Sequence, residues 1–208
     1  MSEVIIGVDP GADGAIVVFS GMKFLEKHTV PKETVKSTKP AKDKDGKNKK
    51  DDNGRLIYNN KKVMDESAYF EIFKTLKQKY PNAHVFLELV KSIGANPRQA
   101  SVGATQNFNF GYNFGLVNGF IISCEFASFT RVTPQEWQKK VVKLMDHVYG
   151  KEGKNDNKAS SLKAFLRIFP NEDMRATSRS SIFHDGLVDA GLLCYYGYLI
   201  IPSDDDDL

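Results

Sequence analysis

Four carboxylates stand where acidic side chains are costly to bury. Asp9 closes the apolar run Val4-Ile5-Ile6-Gly7-Val8, and Glu88 sits inside Val85-Phe86-Leu87-Glu88-Leu89-Val90. Asp185 and Asp189 lie four residues apart at the head of an otherwise apolar stretch, so on a helix they share one face. A buried carboxylate with no partner shifts its pKa, finds a cation or binds a metal. Four of them, from two strands and one helix, make an acidic pocket suited to hard divalent cations. Mg²⁺ takes oxygen ligands, typically a few carboxylates completed by water and substrate phosphates. Each residue also has an ordinary reading. Asp9 before Pro10-Gly11 fits a turn, Glu88 could pair with a buried Lys or Arg, and Asp185 and Asp189 could cap or favour a helix N-terminus. Together, the four favour the joint reading.

The elements that must position these acids follow from local pattern. Val4–Val8, Ala15–Phe19 and Met22–Val30 read as three strands joined by short turns, an antiparallel meander. Residues 31–63 break that rhythm with a polar, lysine-rich stretch. It reads as a mostly flexible insertion with a small hairpin near Arg55–Asn59. Met64–Lys79 has helical spacing through Ala68, Phe70, Phe73 and Leu76, and His84–Val90 reads as a buried strand. Thr105–Ser123 has the length of a helix, and Phe126–Val132 reads as a strand. Thr133-Pro134-Gln135-Glu136 then forms a capping box that opens a helix running to about Leu144. Lys158–Phe169 and Asp185 to about Ile201 complete the helices. Strands followed by alternating strands and helices predict an α/β fold with a mixed sheet covered by helices. The economical organisation is one domain over residues 1–203, with 31–63 as its insertion and 204–208 as an acidic tail.

Composition narrows the class. The chain has 208 residues, is 41% hydrophobic and carries two cysteines, enough for a core without disulfides. Cys124 and Cys194 are expected as buried thiols. No run approaches a membrane span, and Val4–Val8 follows the start with no basic region, so an intracellular, cytoplasmic protein with no membrane partner is expected. The net charge of +3 conceals clustering. Residues 31–63 hold eleven Lys or Arg against five acids, residues 139–179 ten against five, and Asp204–Asp207 hold four acids. Clustered positive charge attracts polyanions through counterion release, although lysine-rich loops are often merely solvated.

The ordered set Gly7-Val8-Asp9-Pro10-Gly11, Glu88 in a buried strand and His184-Asp185-Gly186-Leu187-Val188-Asp189-Ala190 resembles RuvC-type Holliday-junction resolvases of the RNase H-like superfamily. The resemblance spans about residues 4–200. It implies a mixed five-stranded sheet, three antiparallel strands and then parallel ones, flanked by helices. It further implies that Asp9, Glu88, Asp185 and Asp189 hold two Mg²⁺ or Mn²⁺ ions, with two-metal hydrolysis at the scissile phosphate. The resemblance also brings a homodimer that makes paired nicks in four-way DNA junctions, leaving 5′-phosphate and 3′-hydroxyl ends. Bacterial members often space the last two metal-site residues three apart, whereas four separate them here. The long insertion points to a phage or other divergent branch. Bacterial members also place an aromatic soon after the strand glutamate. Here Lys91-Ser92-Ile93-Gly94 follows, with no aromatic until Phe108.

Further residues carry weaker signals. Lys91, Arg98 and Gln99 follow Glu88, and Lys139, Lys140, Lys143 and Lys158 form a second tract; both sets could hold DNA phosphates. His184 could reach a metal, a water or a phosphate, or act as a structural hydrogen-bonder. Trp137 reads as a packing anchor. Gly111, Gly115 and Gly119 form a smooth helix stripe, for a dimer contact or for packing on the chain's own sheet. Phe108, Tyr112, Leu116 and Phe120 form a second stripe, expected to be mostly core. An actin-like ATPase or sugar kinase shares the Asp-x-Gly hairpin but normally needs two such domains. A binding module that grips branched DNA without cutting it would have no need of the acidic quartet.

Overall fold

Apolar β-branched runs set the centre of the molecule. The computed structural model describes residues 3–89, 104–150 and 153–201. Strand β1 (Val4–Asp9) pairs antiparallel with β2 (Ala15–Ser20), and β2 pairs antiparallel with β3 (Lys23–Thr29). Residues 32–64 supply β4 (Lys32–Pro40) and β5 (Tyr58–Met64), which form a separate two-stranded sheet. Helix α1 (Glu66–Lys79) leads into β6 (His84–Glu88), which runs parallel to β1 on the side away from β2. Helix α2 (Ala104–Ser123) and then β7 (Ser128–Val132) follow, with β7 parallel to β6. The main sheet therefore has the order β3-β2-β1-β6-β7, the mixed five-stranded α/β arrangement expected. β1 and β6 are central and covered on both faces, which accounts for their nearly unbroken apolar sequences.

Helices α3 (Pro134–Val141), α4 (Asn157–Ile168) and α5 (Asp185–Ile200) complete the core. The capping box at Thr133 is present, with the Thr133 side chain accepting from Glu136 N–H and Glu136 Oε2 accepting from Thr133 N–H. α3 stops at Val141, three residues short of expectation. A 3₁₀ turn at Leu144–Asp146 takes over where the Asp146 carboxylate accepts the Lys143 N–H.

α5 packs unusually close to β1. A Cβ built on Gly7 would lie 2.0 Å from the Ala190 carbonyl oxygen, so any side chain there would push the helix off the sheet. Cys194 fills the space below: its Sγ accepts the Gly7 N–H at 3.0 Å and its thiol donates to the Val17 carbonyl at 3.2 Å. Both cysteines are free thiols, Cys194 buried and Cys124 half-buried. Phe86, Trp137, Phe165, Phe169, Leu187 and Leu193 fill the adjoining core.

Helix α2 departs from expectation. Val117 and Ile121 are buried, but Phe108 and Tyr112 are exposed, so the upper half of their stripe is not core. Among the described residues nothing lies within 4 Å of a Cβ built at Gly111, Gly115 or Gly119. Packing of that glycine stripe on the chain's own sheet is thereby removed as its explanation. No helix among the described residues is long and apolar enough to cross a membrane.

Residues 31–70 form a compact unit of their own, where a mostly flexible insertion was expected. β4 and β5 pair antiparallel from Lys32↔Met64 to Pro40↔Tyr58. Beyond them, Ala41 N–H donates to the Ile57 carbonyl, Ile57 N–H to Lys49 and Lys49 N–H to Ala41, a closed ring with an eight-residue period. Two equivalent turns connect the ring. Asp43 Oδ1 accepts from Asp45 and Lys47 N–H, and Asp51 Oδ1 accepts from Asn53 and Arg55 N–H. Backbone pairing and Asp-led turns hold this unit, and neither gives the alternating apolar signal by which a strand is read.

Candidate active site

Asp9 and Glu88 end two neighbouring parallel strands. Val8 pairs with Leu87, so the next residue of each strand emerges at the same end of the sheet. Asp9 is held by its own turn, its Oδ1 accepting the Gly11 N–H at 2.9 Å. Above it lies the first turn of α5. A Cβ on Gly186 would stand 2.6 Å from the Asp13 carbonyl and 3.0 Å from Asp9 Oδ2, so only glycine lets the helix approach. That approach brings Asp189 into the electrostatic field of Asp9 and Glu88. Three elements thus converge on the three carboxyls, each residue half-buried.

The carboxyls repel one another as they lose water. Burial pushes Asp9 up to about 6, with Asp13 and Asp185 adding to the rise and the Gly11 N–H opposing it. Burial and Asp9 push Glu88 up to about 7, against the Trp137 indole N–H, which donates to Glu88 Oε1 at 2.9 Å. Asp189 rises furthest, to about 8, through burial and then the charges of Asp9 and Glu88; a hydrogen bond with Ser161 opposes this. Its Oδ1 is buried with no hydrogen-bond partner. Asp185 differs. It is exposed and ion-paired with Lys158 Nζ, and that pair holds the lysine above its ordinary value.

This arrangement is an all-oxygen donor set with one orphaned buried acceptor and too little positive charge. Those are the properties that a hard cation would satisfy, so the residues present fit Mg²⁺ or Mn²⁺. Among the described residues, however, no three Asp, Glu, His or Cys side chains are gathered closely enough to hold an ion as they stand. Lys158 lies against Asp185. Lys158, Ser161, Asp185 and Asp189 line one small cleft between α4 and α5.

His184 is the N-cap of α5, its Nδ1 accepting the Leu187 N–H at 3.3 Å, which gives it a structural role. Asp185 is therefore the first helical residue and not the cap. Lys139, Lys140 and Lys143 are exposed at the C-terminal end of α3 and just beyond it. Lys91, Arg98 and Gln99 lie outside the described residues, as does the tail 204–208. Sequence reasoning missed three contributors. Trp137 is fully buried and is also the donor to Glu88, Ser161 supports Asp189, and the charge of Asp13 adds to the rise at Asp9. Only the tryptophan carried a usable signal, since a buried indole N–H needs an acceptor.

No family model matches the chain, and no curated protein matches it. Among solved structures, it is similar to Thermus thermophilus RuvC in complex with a Holliday junction substrate. The identity is 14% and the TM-score 0.45, covering 95% of this chain and 96% of that one. A second Thermus thermophilus RuvC structure gives 14% and 0.45, covering 94% and 96%. That likeness is too loose to assign chemistry. The fold stands on the strand order and directions seen in the chain itself.

Proposed function

We propose that the protein is a metal-dependent, structure-selective endodeoxyribonuclease that resolves Holliday junctions or related branched DNA by paired nicks. The observation that carries this reading is Asp189. Its buried Oδ1 has no donor, and it lies in the field of two further carboxyls, Asp9 and Glu88, whose own pKa values are raised. Three buried acids with one hydrogen-bond donor apiece and raised pKa values are a poor arrangement for stability, and a site for divalent cations accounts for all of them.

Asp9, Glu88, Asp185 and Asp189 would hold two Mg²⁺ or Mn²⁺ ions, which when bound supply Lewis-acid stabilisation of charge at the scissile phosphodiester. The chain's own groups do the positioning. The Gly11 N–H orients Asp9, the Trp137 indole fixes the Glu88 rotamer, and Ser161 orients Asp189. Lys158 is an exposed cation in contact with Asp185, from where it can turn to a substrate phosphate. Lys139, Lys140 and Lys143 would hold backbone phosphates and so place the DNA without reading its sequence. Two nicks call for two sites, and a homodimer formed through the open glycine stripe of α2 would supply them.

The test is cleavage of an end-labelled four-way junction beside linear duplex and flap controls, with and without Mg²⁺. Symmetric paired nicks in the junction that depend on Mg²⁺ are expected. Junction binding with no cleavage in Mg²⁺ or Mn²⁺ would instead make the chain a binding module.

A further inference from the structure

The turn after α3 presents an anomaly. Leu144 and Met145 are 82% and 67% exposed, among the most exposed large apolar side chains of the described residues. The next residue, Asp146, is 1% exposed. Arg167 on α4 clamps it, with Nε and Nη2 donating to both carboxylate oxygens at 2.8–3.2 Å and Nη2 also donating to the Val141 carbonyl. The Lys143 N–H closes the turn on Asp146 Oδ2 at 2.8 Å. A bidentate pair between the buried Asp146 and a part-exposed Arg167 thus fixes a tight turn whose outer residues are two large apolar side chains in water.

The surroundings say what such a tip is built to meet. Lys139, Lys140 and Lys143 are exposed on the same segment, and Lys163 on α4 lies close enough to bear on Asp146. The sole acid among residues 137–150 is Asp146, and Arg167 neutralises it. An apolar tip ringed by cations complements apolar base faces flanked by phosphates, and it does not match the acid-poor apolar patch of a typical protein partner. Leu and Met side chains are among those that wedge between base steps. Unstacking costs least where bases are already poorly stacked, as at a branch point.

We propose that the Lys143–Asp146 turn is a DNA wedge that inserts Leu144 and Met145 between bases at the branch point, with Lys139, Lys140, Lys143 and Lys163 on the flanking phosphates. This rests on the reading of the protein as a branched-DNA nuclease and adds how a branch is told from a duplex. The lysines supply sequence-independent affinity, and the apolar pair supplies preference for structure.

The experiment uses the full-length protein and a four-way junction with 2-aminopurine at the branch point, beside the matching linear duplex. Binding is read by anisotropy and unstacking by 2-aminopurine fluorescence, in Ca²⁺; cleavage of the same junction is followed separately in Mg²⁺. Wild type is expected to raise the fluorescence on the junction. Leu144→Ser/Met145→Ser should lose that rise and about tenfold of the junction-over-duplex preference, with duplex affinity unchanged within about threefold. Both residues are at the surface, so the variant should melt with the wild type. Leu144→Trp provides a second readout, its indole fluorescence being quenched when it stacks on a base. Unaltered unstacking and preference in the double variant would overturn the proposal and leave the apolar pair to a protein partner. Absence of indole quenching on junction binding overturns it too. Junction cleavage by wild type without any fluorescence rise would refute the wedge and keep the nuclease, whereas no binding to either DNA would refute both.

Discussion

Two groups of buried carboxylates in this protein have opposite fates. Asp146 is almost wholly buried, yet Arg167 and the Lys143 N–H meet its oxygens and hold its pKa below the ordinary carboxylate value. The carboxyls of Asp9, Glu88 and Asp189 are poorly met, and burial before anything else raises theirs to about 6, 7 and 8. Burial alone therefore does not single out a candidate site acid; burial without a cationic partner does. The pair at Asp146 shapes a turn, while the three acids wait for charge that the chain does not provide.

Substitution should separate the two groups most sharply. Asp9→Asn or Glu88→Gln is expected to reduce Mg²⁺-dependent junction cleavage about a thousandfold or more, since several kcal/mol of transition-state stabilisation go with the cations. The same changes relieve repulsion, so the metal-free variants, and Asp189→Asn above all, should melt at or above the wild-type temperature. Full activity in Asp9→Asn would sink the site. Asp146→Ala should do the reverse. Loss of the clamp leaves the Lys143 N–H and a part-exposed Arg167 without their acceptor and costs about 1–2 kcal/mol in denaturant unfolding, while Mg²⁺ affinity, measured by calorimetry, stays close to wild type.

Titration offers a smaller contrast. Asp9, Glu88 and Asp189 have folded pKa values above their unfolded ones, so between about pH 4 and pH 8 the folded state binds more protons than the unfolded state. Their contribution is present below pH 4 and is lost as pH rises through 6, 7 and 8. The metal-free protein should thus become less stable across that window, by several kcal/mol for the three groups together. Mg²⁺ or Mn²⁺ should restore the loss at pH 8. A melting temperature that is flat from pH 5 to 8, with no response to either cation, would place the three acids outside a metal site.

The uncompensated group was legible in the sequence and the compensated one was not. Asp9, Glu88 and Asp189 interrupt apolar runs, and that conflict is visible without coordinates. Asp146 lies just after three lysines, where an acid raises no question, and its partner Arg167 is 21 residues away on another helix. The main sheet was readable because β1, β2 and β6 are apolar and β-branched. The β4–β5 unit was not, because backbone hydrogen bonds and Asp-led turns hold it while lysines occupy its strands. Helix α2 misled for a related reason. Its asparagines and aromatics are spread around the helix with no clear polar face, so periodicity could not say that Phe108 and Tyr112 would be exposed.

Trp137 lies between the two groups and gives the subtlest test. Its ring is core, fully buried against the α3 side of the sheet, and its N–H is the donor that keeps Glu88 from rising further. Trp137→Phe retains most of the apolar volume and removes that donor. Hydrogen bonds to charged groups contribute about 1.5–3 kcal/mol, but a bound cation would compensate part of the loss. A fall in cleavage of about tenfold at pH 7 is expected, and the acidic limb of the pH–rate profile should move upward because Glu88 is then harder to ionise. A packing role alone would lower stability and leave that limb in place. The position of the limb, more than the size of the rate loss, decides whether Trp137 belongs to the site.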